Sequence, residues 1–125
     1  MTKWGSGEVA ASRWMIFLIV VFPTAPAQAM SRHVAVSAGS FFAAAARCEE
    51  QNLITPGQTE HLLEALDPYL SKSDKANMAA GDARARKISK VFVESEKKWV
   101  SFTPDSTSCY RVQGVLDDYR AQLGH

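Results

Sequence analysis

Cys48 and Cys109 are the residues of this chain with the most chemistry open to them. A catalytic thiol needs a neighbouring base and a depressed pKa, whereas Cys48 is followed by Glu49 and Glu50, whose charges disfavour the thiolate. Neither a Cys-x-x-Cys redox motif nor a Cys-x-x-Cys-His haem attachment site is present. In an oxidising compartment an isolated pair of cysteines is most simply a disulfide, and two thiols permit one intramolecular pairing.

His61 and Glu64 lie three residues apart, a spacing that lets both side chains of a helix face one metal ion. Carboxylate-bridged metal sites in helical bundles repeat Glu-x-x-His on a second helix and add further carboxylates, and this chain has no second copy. The pair therefore reads as a solvated couple. Met30, His33 and His125 could ligate haem or copper as residue types, but no spacing unites them, and no cofactor is expected. Glu49-Glu50 and Asp117-Asp118 are sequence neighbours whose side chains diverge on a helix, so they do not form the facing pair that glycoside cleavage requires. There is no nucleophile elbow and no glycine-rich phosphate loop. With these elements missing, the chain is expected not to be an enzyme.

The densest basic run is Arg84, Arg86, Lys87 and Lys90. Asp82, Glu94 and Glu96 interrupt it, which favours a solvated face. As a functional surface it would dock an acidic partner or an anionic envelope polymer. Glu49, Glu50, Glu60, Glu64 and Asp67 give the preceding stretch the opposite bias, so two oppositely charged faces are expected.

The compartment is encoded at the start of the chain. Lys3 and Arg13 precede the apolar run Trp14 to Phe22, and Pro23 leads into Ala25-Pro26-Ala27-Gln28-Ala29. Ala27 and Ala29 place small residues at −3 and −1 relative to Met30, the pattern of a cleaved signal peptide over residues 1–29. The apolar run is too short to span a hydrocarbon core of about 30 Å as a helix, so no stable membrane span is expected after cleavage. Residues 30–125 then carry twelve basic and twelve acidic side chains. That balance predicts no nucleic-acid or membrane-surface partner, and the leader predicts a periplasmic or secreted location.

In the whole chain, 125 residues with 46% hydrophobic and 22% charged content fit one small folded domain and exclude a wholly disordered one. Residues 30–36 show no sustained period and read as a flexible leader, with the helical domain over 37–125. Phe41, Phe42, Ala45 and Cys48 recur at helical spacing in an alanine-rich stretch that ends before Asn52. Thr55 is placed to cap a second helix, with Pro56 at its first position and Gln58 completing a capping box. Its apolar face is Leu62, Leu63, Leu66 and Leu70, and Pro68 should kink or end it near Asp67.

A third helix is expected from about Ser73, with a seam from Met78 through Gly81, Ala85, Ile88 and Phe92 to Trp99 and Phe102. The alternative is a hairpin around residues 90–103, since Val91-Phe92-Val93 and Trp99-Val100-Ser101-Phe102 have β propensity; the absence of a Gly or Asn turn argues against it. A last helix follows the capping group Thr103-Pro104-Asp105 and carries Cys109, Val112, Leu116, Tyr119 and Leu123 on one face. The expectation is an all-α antiparallel bundle of about four helices, with Cys48–Cys109 joining the first to the last. Its expected role is a periplasmic protein-interaction domain, an accessory subunit or chaperone-like factor for another envelope protein; the alternative is a small-ligand or metal-binding bundle.

Overall fold

The computed structural model describes residues 30–124. The leader expected over residues 1–29, and His125, lie outside them. Four helices and one hairpin follow in order: α1 (Arg32–Glu50), α2 (Gln58–Leu66), a 3₁₀ turn (Asp67–Tyr69), α3 (Lys72–Ile88), β1 (Lys90–Val93), β2 (Lys98–Ser101) and α4 (Ser106–Gln122).

α1 starts five residues earlier than its apolar period suggests. The Ser31 hydroxyl caps it by accepting from the Val34 amide at 3.2 Å, and Met30, Val34 and Ala35 are all buried. Three residues of the stretch expected as a flexible leader over 30–36 thus join the core, while Ser31, Arg32 and His33 stay exposed on the first turn. From Ser37 to Ala45 nearly every side chain is buried, so α1 is enclosed on all sides and small residues are what its neighbours leave room for. It ends in a Schellman motif: Asn52 takes the left-handed conformation at φ 59°, Leu53 N–H donates to the Cys48 carbonyl and Asn52 N–H to that of Glu49.

α2 begins at Gln58 behind Gly57, whose φ of 91° places it in the left-handed region, and not at the expected Thr55-Pro56 cap. Its orphan amides are satisfied from another helix. Glu49 of α1 accepts from Gly57 N–H at 2.9 Å and Thr59 N–H at 2.8 Å, and also from the Thr59 hydroxyl. A carboxylate at a helix N-terminus also meets the positive end of the helix dipole. Glu49→Ala is expected to cost about 1–2 kcal/mol in urea unfolding and Glu49→Gln less, since the amide oxygen still accepts. Equal stability of wild type and Glu49→Ala would remove this cap from the account. Pro68 closes α2 into the 3₁₀ turn, as its missing N–H dictates.

α3 opens with a capping box, Ser71 Oγ accepting from Asp74 N–H and Asp74 Oδ2 from Ser71 N–H, each at 3.0 Å. It stops at Ile88, where Ser89 turns left-handed at φ 57°. The helix expected to reach Phe102 is instead a helix and an antiparallel hairpin, with Phe92 opposite Trp99 and Val91 opposite Val100. The turn needs no glycine, because Lys97 takes the left-handed position itself at φ 55°, its Nζ 3.1 Å from Glu94 Oε2. Two serines of α1 hold the outer side of β1: Ser37 Oγ donates to the Phe92 carbonyl and Ser40 Oγ accepts from Phe92 N–H, both at 2.9 Å. The hairpin's exposed backbone thus finds the partners that a third strand would supply.

α4 begins at its own capping box, Asp105 with Ser108. The disulfide joins Cys48 to Cys109 with a Cα–Cα distance of 5.7 Å, and both residues are fully buried. Nearly three turns beyond Cys109, Tyr119 packs edge-on against Phe41 at 5.9 Å, so α4 runs opposite to α1. α3 runs the same way as α1, however. Their starts are joined by Met30 N–H to Asp74 at 2.9 Å and their ends approach through Arg86 and Glu50 at 3.9 Å. The bundle is therefore not antiparallel throughout, because α2 and the 3₁₀ turn carry the chain back before α3 begins. Leu66 and Leu116, both 0% exposed, lie in the core formed around these helices and contribute roughly 1.5–3 kcal/mol each.

Candidate functional site

A cleft of about 330 Å³ opens where the hairpin returns to the helices. Its floor is Phe41 and Ala44 of α1, one wall is Val91, Ser101, Phe102 and Thr103, and the other is the first three turns of α4, where Val112 and Val115 face it. Each wall is placed by a local device. Phe102 N–H donates to the Ser89 carbonyl at 3.0 Å, and the Ser108 hydroxyl donates to the Thr103 carbonyl at 2.6 Å, which fixes the strand-to-helix passage.

Ser101 and Thr103 supply hydroxyls on the hairpin wall, and the charged side chains of the cleft, Asp105 and Arg111, sit with Ser108 at its α4 end. Hydrogen bonding from the Ser108 backbone, together with its side chain, the Thr107 amide and the Arg111 charge, holds the Asp105 carboxyl below its usual range despite some desolvation. A depressed carboxylate stabilises the fold above its unfolded pKa of about 3.9 and loses that effect as pH falls through the lower folded value. Asp105→Asn is therefore expected to flatten the acid end of the stability curve, read as the fluorescence melting temperature against pH. A steeper acid loss in the variant would contradict this origin.

The apolar lining and single charged end suit binding an apolar group whose polar end is met at the rim. Among the cleft residues the one carboxylate, Asp105, accepts from Ser108 N–H at 2.8 Å as a helix cap.

The basic residues singled out by sequence are exposed but do not converge. Arg84 lies over the Trp99 ring at 5.4 Å, binding α3 to the hairpin by a cation–π contact. Arg86 turns the other way, to Asp82 at 3.1 Å and toward Glu50. Lys87 and Lys90 are exposed, and Lys90 stands in register with Ser101 at the edge of the cleft. The expected acidic face is kept in part: Glu60, Glu64 and Asp67 line one shallow concavity on α2, where Asp67 pairs with Lys75 at 2.8 Å, while Glu49 caps α2 and Glu50 approaches Arg86. His61 and Glu64 are exposed on α2, and among the described residues no three potential ligands gather around a metal-sized space. His33 stacks on Phe92 with ring centroids 5.7 Å apart.

Among the described residues, no helix is long and apolar enough to cross a membrane. Comparison with family models, curated proteins and solved structures finds no match.

Proposed function

We propose that this chain is an exported, non-catalytic binding domain, an accessory subunit or chaperone-like factor that engages another envelope protein through the cleft between α1, the hairpin and α4. The observation that carries this reading is the cleft itself. It is walled by Phe41, Phe102, Val112 and Val115 and stands at the small end of the roughly 300–1,000 Å³ range of ligand sites, a size suited to a side chain or short segment of a partner. An aromatic or aliphatic anchor seated in such a pocket is the usual centre of a protein interface. Lys90 beside the cleft and Lys87 in the last turn of α3 favour a partner with acidic residues flanking that anchor. Export is supported by the Ala-x-Ala pattern before Met30, and the buried disulfide is compatible with an oxidising compartment.

The test is a photo-crosslinking side chain at Ser101, at the exposed lip of the cleft, in tagged protein exported by its own cell. The same probe at Glu60 on α2 is the control. The expected result is a discrete protein adduct from Ser101 that Glu60 does not give. No adduct from Ser101, or the same set from both positions, overturns the reading.

A small apolar ligand is the second reading, favoured by the same lining. Native mass spectrometry of the protein purified from the envelope distinguishes it. A bound mass that survives purification and is lost on unfolding supports this reading; bare protein removes it.

A further inference from the structure

Asp74 is 0% exposed, and its two carboxylate oxygens are taken by backbone donors: Oδ2 by Ser71 N–H at 3.0 Å and Oδ1 by Met30 N–H at 2.9 Å. Among the described residues no lysine, arginine or histidine side chain forms an ion pair with it. A carboxylate taken out of water without a counter-charge is costly, and two amide donors offset only part of that cost. The capping box alone does not explain the burial, because Ser108, which holds the same third position in the capping box of α4, is only partly buried. The group set against the inner oxygen of Asp74 is the backbone nitrogen of Met30, a residue whose side chain is 7% exposed and belongs to the core. Met30 is also the residue that the Ala27-x-Ala29 pattern makes the first of the mature chain.

We propose that removal of the leader between Ala29 and Met30 creates the missing counter-charge: the α-ammonium of Met30 pairs with the buried carboxylate of Asp74 and locks the start of α1 to the start of α3. The proposal rests on the reading of residues 1–29 as a cleaved leader. Water, with a leader-cleaving peptidase, breaks the Ala29–Met30 amide bond. The carbonyl carbon leaves as the Ala29 carboxylate, and the freed amine takes up a proton to become an ammonium. A neutral nitrogen donating one hydrogen to Asp74 becomes a cation with three, at a position the core already fixes. Processing then does more than release the protein. It makes the mature fold more stable than the same residues joined to anything upstream.

Two measurements test this. Intact-mass analysis of the exported protein is expected to give residues 30–125; a chain starting elsewhere overturns the proposal. Thermal unfolding of oxidised residues 30–125 is then compared with the same chain Nα-acetylated, in wild type and in Asp74→Asn. The acetylated nitrogen keeps one N–H for Asp74 but loses its charge and the other two hydrogens, which restores the amide that the uncleaved chain has there. Acetylation is expected to lower the wild-type melting temperature by about 5 °C or more, the shift that a pair worth at least 1 kcal/mol produces in a domain of this size. It is expected to change Asp74→Asn little. An unchanged wild-type melting temperature overturns the proposal, as does an equal loss in both backgrounds. If Asp74→Asn does not fold, the wild-type comparison alone decides. Neither outcome depends on what the cleft binds, so failure here and failure of the interaction reading are separate results.

Discussion

Replacing Cys48 and Cys109 together by alanine is expected to lower the stability of the domain by about 4 kcal/mol, the unfolded-state entropy released when a loop of this length is no longer closed. The bridge spans 61 residues, which include α2, α3 and the hairpin, so it constrains most of the chain that α1 and α4 enclose. Small domains have total stabilities near the low end of about 5–15 kcal/mol, and the loss therefore takes a large share of the whole. At roughly 4–8 °C per kcal/mol for a domain of under 100 residues, the melting temperature should fall by about 20 °C.

Because both sulfurs are fully buried, reductant is expected to leave the native disulfide intact and to cleave it once urea opens the fold. Urea titration of the oxidised protein and the double variant, with thiol counting alongside, reads both effects. A loss below about 1 kcal/mol would show that the entropy term of the chain model does not govern this bridge. Ready reduction in native buffer would show that the bond is reached by solvent.

The disulfide was legible from sequence because two cysteines leave one intramolecular choice, and both fall on apolar helical faces. The start of α4 was legible for a similar reason, since Asp105 and Ser108 cap one another within four residues. Features that depend on distant partners were not. Glu49 caps a helix eight to ten residues away on the next element, where the sequence suggested Thr55 for the task. The hairpin lacked a Gly or Asn turn because Lys97 adopts the left-handed conformation and Ser37 and Ser40 bind the backbone of Phe92 from another element. Residues 30–36 have too weak a period to announce a helix, yet Met30 and Val34 are buried by what folds over them. The cleft has the least sequence signature of all, for Phe41, Val91, Phe102 and Val112 come from four separate segments. The basic run could be seen as composition, but which way each side chain turns is decided by Trp99, Asp82 and Glu50.

Gly39→Ala and Gly81→Ala are expected to destabilise the protein although helix propensity predicts the reverse. Alanine in a helix interior is favoured over glycine by about 0.8–1.0 kcal/mol. At these two positions, however, α1 and α3 cross with their backbones in contact. A methyl carbon on Gly39 would fall 2.7 Å from the Met78 carbonyl carbon and closer still to its oxygen, and one on Gly81 would fall 3.0 Å from the Val36 carbonyl carbon. Overpacking costs about 1–3 kcal/mol and more when the obstacle cannot rotate aside. Here the obstacle is helical backbone, so separation of the helices is the only relief, and it draws Ser37 and Ser40 away from Phe92. Either substitution is expected to cost about 2 kcal/mol or more after the propensity gain is deducted. The double variant should cost less than the two single losses together, because helices already forced apart at one glycine leave room at the other. Gly114 supplies the opposing case on α4. It is exposed, a methyl there meets nothing within 4 Å, and Gly114→Ala is expected to stabilise by about 1 kcal/mol. Urea unfolding of the four variants against wild type gives the comparison. If Gly39→Ala and Gly81→Ala rise in stability alongside Gly114→Ala, propensity governs all three sites and the close crossing of α1 and α3 is not what holds them together.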